Sequence, residues 1–223
     1  MSLAADLVLV ATDQATGRSL LGSTETDPVL GGALLVDLVL AERVEVEGAP
    51  RKARVRVVTT TPVGSSPHDR ALARLRPGRE PRAANVVPRL GKGARTLLRE
   101  QLVAERAVAA RRERLWGVLP VTRYDVLDTA RRQRVLAAVT AVLAGEEPDE
   151  TSGPLVALLQ AGDVVKRLVP KPERRAAVRR AKEIAKGEWA GSAARAAVVA
   201  ASAAASAAVT ASVAATASSS GSS

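Results

Sequence analysis

Phenylalanine is absent from this 223-residue chain and its aromatic side chains are Trp116, Tyr124 and Trp189 alone, so the hydrophobic core has to be built from Leu, Val and Ala. The length suffices for one domain to bury such a core without metal or disulfide staples. Cysteine is missing as well, which excludes disulfides, thiolate nucleophiles and Cys-ligated zinc or iron–sulfur clusters. His68 is the single imidazole. A Ser-His-Asp triad or a multi-histidine metal site would have to use it, and in the run Ser65-Ser66-Pro67-His68 it reads as a solvated loop residue. The shortage of aromatics also argues against single-strand nucleic-acid binding by base stacking.

Periodicity predicts a mainly α fold with two small β-hairpins, and the length makes one domain the default. An Ala/Ser-rich helical to disordered tail over 201–223 follows. Leu3 to Ala11 is a short apolar helix. Asp27-Pro28 reads as a helix start, acid at the cap and Pro at the first position, with a buried helix over Leu30 to Leu40. Arg43 to Glu47 and Arg54 to Val57 alternate polar residues with Val around Gly48-Ala49-Pro50, the period-two signature of a hairpin. Thr61 to Pro67 is a turn cluster, His68 to Leu75 a short helix, and Arg76 to Leu90 a Pro-punctuated basic loop. Gly93 to Arg106 reads as a helix, and Val108 to Thr122 as a second hairpin with Arg111-Arg112-Glu113 at its tip. Helices over Leu127 to Leu143, Pro154 to Leu168 and Pro172 to Trp189 complete the domain. The Ala/Ser/Val segment from Ala193 to about Ala217 has too little Leu, Ile or Phe to span a bilayer. It reads as a terminal helix fraying into disordered Ser218 to Ser223. The N-terminus has no basic start ahead of an apolar stretch, so a cytoplasmic protein is expected.

A formal charge of +10 and a pI near 11.0 favour polyanionic partners, nucleic acid or an acidic membrane surface. The charge is uneven: residues 1–60 carry six bases and eight acids, whereas Arg70 to Arg114 carry thirteen bases and four acids. On the Gly93 helix, Lys92, Arg95, Arg99 and Arg106 fall within an arc of about 60°, with Leu97, Leu98 and Leu102 pointing away. Lys92 and Arg95 sit where the helix begins, and the macrodipole opposes positive charge there by about 0.3–1 kcal/mol each. A bound anion removes that conflict, and first-turn amides opened by Gly91 and Gly93 suit a phosphate. Lys92 and Arg95 are therefore the candidate headgroup ligands, with Arg99 and Arg106 as a supporting basic face; the competing reading is an ordinary solvated face.

A second stripe, Arg175, Arg179, Lys182 and Lys186, lies on the Pro172 helix and reads first as the polar side of an amphipathic helix. If both stripes face one way they make a membrane-facing plane. Gly91-Lys92-Gly93 is not a Walker motif, lacking the earlier Gly and the following Ser or Thr. The acids Glu146, Glu147, Asp149 and Glu150 share one surface loop with no opposing cluster. No catalytic constellation is present, so neither enzyme activity nor a cofactor or metal is expected.

Several segments in order, Leu3-Ala4-Ala5-Asp6-Leu7-Val8-Leu9, Gly17-Arg18, Leu30 to Leu40 followed by Arg43-Val44, and Thr61-Pro62-Val63-Gly64 leading to Asp69-Arg70-Ala71-Leu72, resemble the Golgi phosphoprotein 3 family in its bacterial branch. So do Arg99-Glu100-Gln101-Leu102-Val103-Ala104-Glu105 ahead of a hairpin, the helix Leu155 to Val164, and Arg179 to Trp189 running into an Ala/Val-rich end. The resemblance covers about residues 2–200. It implies a single globular helical domain over residues 1–200, a central helix bundle with surrounding amphipathic helices and two small β-hairpins, that acts as a peripheral membrane protein reading phosphatidylinositol 4-phosphate, without catalysis. In eukaryotic members, a tryptophan and an arginine near the second helix join two basic residues, three apart, at the start of a later helix. The later pair falls on Lys92 and Arg95. The arginine position falls on Gly31 and the tryptophan position on or near Gly22, so the resemblance supports anionic-phospholipid binding more strongly than selectivity for one phosphoinositide.

The resemblance also makes the hairpin carrying Arg111, Arg112, Leu115 and Trp116 the segment for membrane contact or self-association, and so for a homo-oligomer. Relatives act as adaptors for the cytosolic tails of membrane proteins at the Golgi. The alternative class is a winged-helix DNA-binding protein, since a basic helix followed by a basic hairpin fits a recognition helix and wing. Lys92, Arg95 and Arg99 are accompanied by few Asn, Gln or Ser residues to read base edges, which places nucleic acid second.

Overall fold

In the computed structural model, which describes residues 2–49, 51–115, 118–189 and 192–219, the chain opens on α1 (Leu3–Val10). Its first turn is capped by the Ser2 hydroxyl and all its residues are buried. The second helix, α2 (Ser23–Leu40), starts a turn earlier than Asp27-Pro28 predicts: Gly22 is the cap and the Thr26 hydroxyl donates to its carbonyl at 2.6 Å. Pro28 then sits inside the helix and withholds one donor from Thr24, an exposed residue where water can replace it. Strands β1 (Val44–Glu47) and β2 (Arg54–Val57) pair antiparallel with Val44 opposite Val57 and Val46 opposite Val55, as the alternation predicts.

After α3 (Ser66–Leu72) the predicted basic loop holds a helix instead, α4 (Ala83–Gly91). Ala83, Val86, Val87 and Leu90 recur at helical spacing and are buried, and that apolar stripe outweighs the donor lost at Pro88. Next come α5 (Ala94–Ala104) and the second hairpin, β3 (Val108–Leu115) with β4 (Leu119–Val126). Its register runs from Val108 opposite Val126 to Leu115 opposite Leu119. Arg111, Arg112 and Glu113 are therefore in mid-strand rather than at the tip; Arg111 stands directly opposite Arg123, and the diagonal ion pairs Arg111–Asp125 and Arg123–Glu113 offset that like-charge contact.

Helix α6 (Thr129–Ala144) is capped by the Asp128 carboxylate accepting from the Arg131 amide. The predicted helix from Pro154 is broken into α7 (Ser152–Ala161) and α8 (Val165–Leu168), with Asp163 at φ 55 between them. Helix α9 (Arg174–Ile184) ends before Trp189, whose indole donates back to the Ile184 carbonyl at 2.8 Å. Helix α10 (Ser192–Ser219) has its buried residues between Ala197 and Ala205 and carries Ser218 and Ser219; Ser220 to Ser223 lie outside the described residues. Among the described residues the fold is mainly α with two two-stranded antiparallel sheets, and no helix is long and apolar enough to cross a membrane.

The centre is α2, packed by α1, α4, α7 and α10. Without large side chains to fill gaps, helices must approach closely, and paired glycines permit it. A Cβ on Gly31 would lie 1.8 Å from the Val87 carbonyl oxygen, and one on Gly91 would lie 1.7 Å from that of Asp27. Gly32, one residue on, faces Leu158 and Ala201. Backbone meets backbone where α2 crosses α4, at the last residue of α4. Gly31→Ala and Gly91→Ala should each lower the unfolding free energy in urea by about 3 kcal/mol, the upper end for overpacking. Thr96→Ala, on the exposed side of α5, should stay within about 0.5 kcal/mol.

Candidate anion-binding site

Gly91 is pressed against α2, and α4 ends there. Lys92 follows, exposed, and Gly93 at φ 74 reverses the chain into α5, a left-handed conformation that favours glycine. No side chain caps the first turn of α5 and no acid stands in it, so the positive end of that helix faces outward uncompensated. Arg95, half-buried, lies on the first turn. Neither Lys92 nor Arg95 makes an ion pair or side-chain hydrogen bond with a described residue. The junction is braced from behind by Arg74, whose Nη1 donates to the carbonyls of Arg89 (2.5 Å), Leu90 (3.2 Å) and Lys92 (2.7 Å). A cation there satisfies the negative end of α4.

The other two members of the predicted stripe do different things. Arg99 lies over the Tyr124 ring, 4.3 Å from its centroid, and burial first, then the charge of Arg95, push its guanidinium down to about 10. It stays cationic at neutral pH and ties α5 to β4 rather than standing free. Arg106 is beyond the end of α5 at φ 56, its amide donating to the Val103 carbonyl at 3.0 Å. The helical spacing that placed it in the stripe stops at Ala104; Arg106 is exposed but off the helix.

On the hairpin, Arg111 donates through Nε (2.7 Å) and Nη2 (3.2 Å) to Asp125 and also pairs with Glu113. The Arg111 hydrogen bond holds the Asp125 carboxyl below its ordinary range. Arg112 is exposed and has no partner among the described residues. At the far end Val118 and Leu119 are 78% and 53% exposed. Trp116 and the side chain of Leu115 lie outside the described residues. Gly31, at the position where the resemblance places an arginine, has no room for any side chain, and the space beside Gly22 is taken by the Glu25 carboxylate.

The second basic stripe lines an open groove of about 670 Å³ in which Arg175, Arg179, Lys182 and Lys186 are joined by Lys166 and Arg174. One further cluster was not legible as a site. His68 is 3% exposed, not solvated. Its Nε2 is 2.8 Å from Asp37 Oδ2 and its Nδ1 is 3.0 Å from Ser65 Oγ. The order of groups is that of a nucleophile, base and acid, beside a cavity of about 640 Å³. The groups are engaged otherwise. Asp37 accepts from the amides of Leu3 (2.9 Å) and Ala4 (3.0 Å) and from the Ser2 hydroxyl (2.9 Å), while the Ser65 hydroxyl donates to Gln101 (3.0 Å). The cluster fastens α1, α2, α3 and α5 together. Its sequence signal was an acid, Asp37, inside the apolar run Leu30 to Leu40, because a charge there requires a partner.

Compared with known proteins, residues 3–201 match the family model of Golgi phosphoprotein 3 (GPP34). No curated protein matches the chain. Since Asp37 is the shared acceptor of the buried cluster, Asp37→Ala should lower the unfolding free energy by about 3–5 kcal/mol, the cost of leaving a buried partner unpaired, as read by urea denaturation.

Proposed function

This chain belongs to the Golgi phosphoprotein 3 (GPP34) family, and we propose that it is a peripheral membrane-binding protein whose Lys92 and Arg95 receive the phosphate of an anionic phospholipid. The observation that carries this reading is the junction itself: two cations without partners among the described residues, beside an uncapped helix start, on a backbone fixed by Gly91. The exposed Val118 and Leu119 at the hairpin end suit shallow insertion beside acidic headgroups. Phosphatidylinositol 4-phosphate is the headgroup the family suggests. The lack of room at Gly31 favours a broader preference for anionic lipid. An adaptor role toward membrane-protein tails, and self-association through the hairpin, belong to the same reading.

The engaged hydroxyl and carboxylate around His68 support a non-catalytic role. The winged-helix alternative has less support, because Arg99, the central cation of the would-be recognition helix, is stacked on Tyr124.

The test is cosedimentation with vesicles of phosphatidylcholine alone or with added phosphatidylglycerol or phosphatidylinositol 4-phosphate. Binding should require anionic lipid, and Lys92→Ala with Arg95→Ala should weaken it at least about tenfold, at roughly 1 kcal/mol per cation near a charged surface. Equal binding by the folded double variant would contradict the assignment.

A further inference from the structure

The sequence predicts a basic loop over Arg76 to Leu90, and phosphate binding at Lys92 and Arg95 leaves most of its charge unused. In the structure Arg76-Pro77-Gly78-Arg79 is a tight turn, with Gly78 at φ 73 and the Arg79 amide donating to the Arg76 carbonyl at 3.3 Å. Pro at the second position and a left-handed Gly at the third are the requirements of a type II turn, which brings its first and fourth residues side by side. Arg76 and Arg79 are those residues. Opposite them stands Arg89 of α4, and Arg74 closes the space with its guanidinium fixed by the three carbonyls named above.

These four arginines line a cavity of about 310 Å³. Its floor is apolar, formed by the buried side chains of Leu75, Val86 and Leu90. No acid among the described residues lines it, the neighbouring Glu80 included. Arg76, Arg79 and Arg89 have no ion pair or side-chain hydrogen bond with a described residue, and Arg74 uses only Nη1. Four guanidinium groups around one concavity repel one another, and the apolar floor strengthens that repulsion by keeping water from one side. A bound anion relieves it. Guanidinium matches phosphate geometry with paired hydrogen bonds, and one phosphomonoester carries a charge of about −1.5 to −2, so two linked phosphoryl groups balance four arginines.

We propose that the cavity formed by Arg74, Arg76, Arg79 and Arg89 is a binding site for an oligophosphate group, separate from the Lys92 and Arg95 junction and adjoining it through the turn from Arg89 to Lys92. The bearer is either a soluble oligophosphate or a lipid headgroup with more than one phosphate. The site stands on its own residues and would remain if Lys92 and Arg95 bound nothing.

The test is calorimetric titration of the full chain with inorganic pyrophosphate and with orthophosphate at physiological salt. Pyrophosphate should bind at least about tenfold more tightly than orthophosphate. Arg76→Ala with Arg79→Ala, both exposed in the turn, should weaken pyrophosphate at least about tenfold with unchanged circular dichroism, and Arg89→Ala should do the same from the other wall. Lys92→Ala with Arg95→Ala should leave it within about twofold, which separates this site from the proposed function. Vesicles carrying a bisphosphorylated lipid distinguish the sources: displacement of pyrophosphate by them assigns a headgroup, and failure to displace it assigns a soluble ligand. Absence of pyrophosphate binding, or binding unaffected by the turn and Arg89 variants, overturns the proposal. So does an arginine-dependent affinity for duplex DNA without affinity for pyrophosphate.

Discussion

The backbone contact between α2 and α4 governs the rest of this molecule. A core of Leu, Val and Ala has no bulky ring to hold helices apart, and at Gly31 and Gly91 the two backbones come closer than any side chain would permit. Helix α4 ends at that contact, and the chain turns through Lys92 and Gly93 before α5 starts. The cationic junction is thus a product of packing rather than a loop that folds independently. Arg74, donating to three carbonyls there, reinforces the same point of the chain.

Charge is divided between two tasks. Acids in and beside the core hold elements together. Asp37 gathers the start of α1 and His68, and Asp6 accepts from Arg131 Nε at 2.8 Å across α1 and α6. Burial pushes the Asp6 carboxyl up despite that partner. Burial also opposes the charge on Arg131, yet Asp6 and Glu105 outweigh it and hold the guanidinium above its ordinary value. The cations around α4 and the start of α5 have no such acids. No described acid lines the arginine cavity or stands in the first turn of α5, so their mutual repulsion is unrelieved there.

What the sequence revealed depended on whether a signal was local. The valine alternation of β1 and β2 and the apolar run of α2 were readable because each is carried by neighbouring residues. Helix α4 was obscured, since Pro88 and the charges around it conceal a stripe of four apolar residues. Lys92 and Arg95 were legible as a pair at a helix start, whereas Arg106 was misplaced because spacing cannot show where a helix ends in a left-handed residue. His68 could not be placed without knowing that Asp37, 31 residues away, faces it. The arginine cavity likewise needs the Pro77-Gly78 turn and α4 to be folded against each other before Arg76, Arg79 and Arg89 meet.

The most direct measurement is amide-resolved nuclear magnetic resonance of the labelled chain during titration with a short-chain anionic phospholipid. A rigid phosphate-receiving junction predicts the largest shifts at the amides of Lys92 to Thr96, with the central residues of α2 undisturbed. Shifts confined to the α9 groove or to the hairpin, with the amides of Lys92 to Thr96 unmoved, would contradict it.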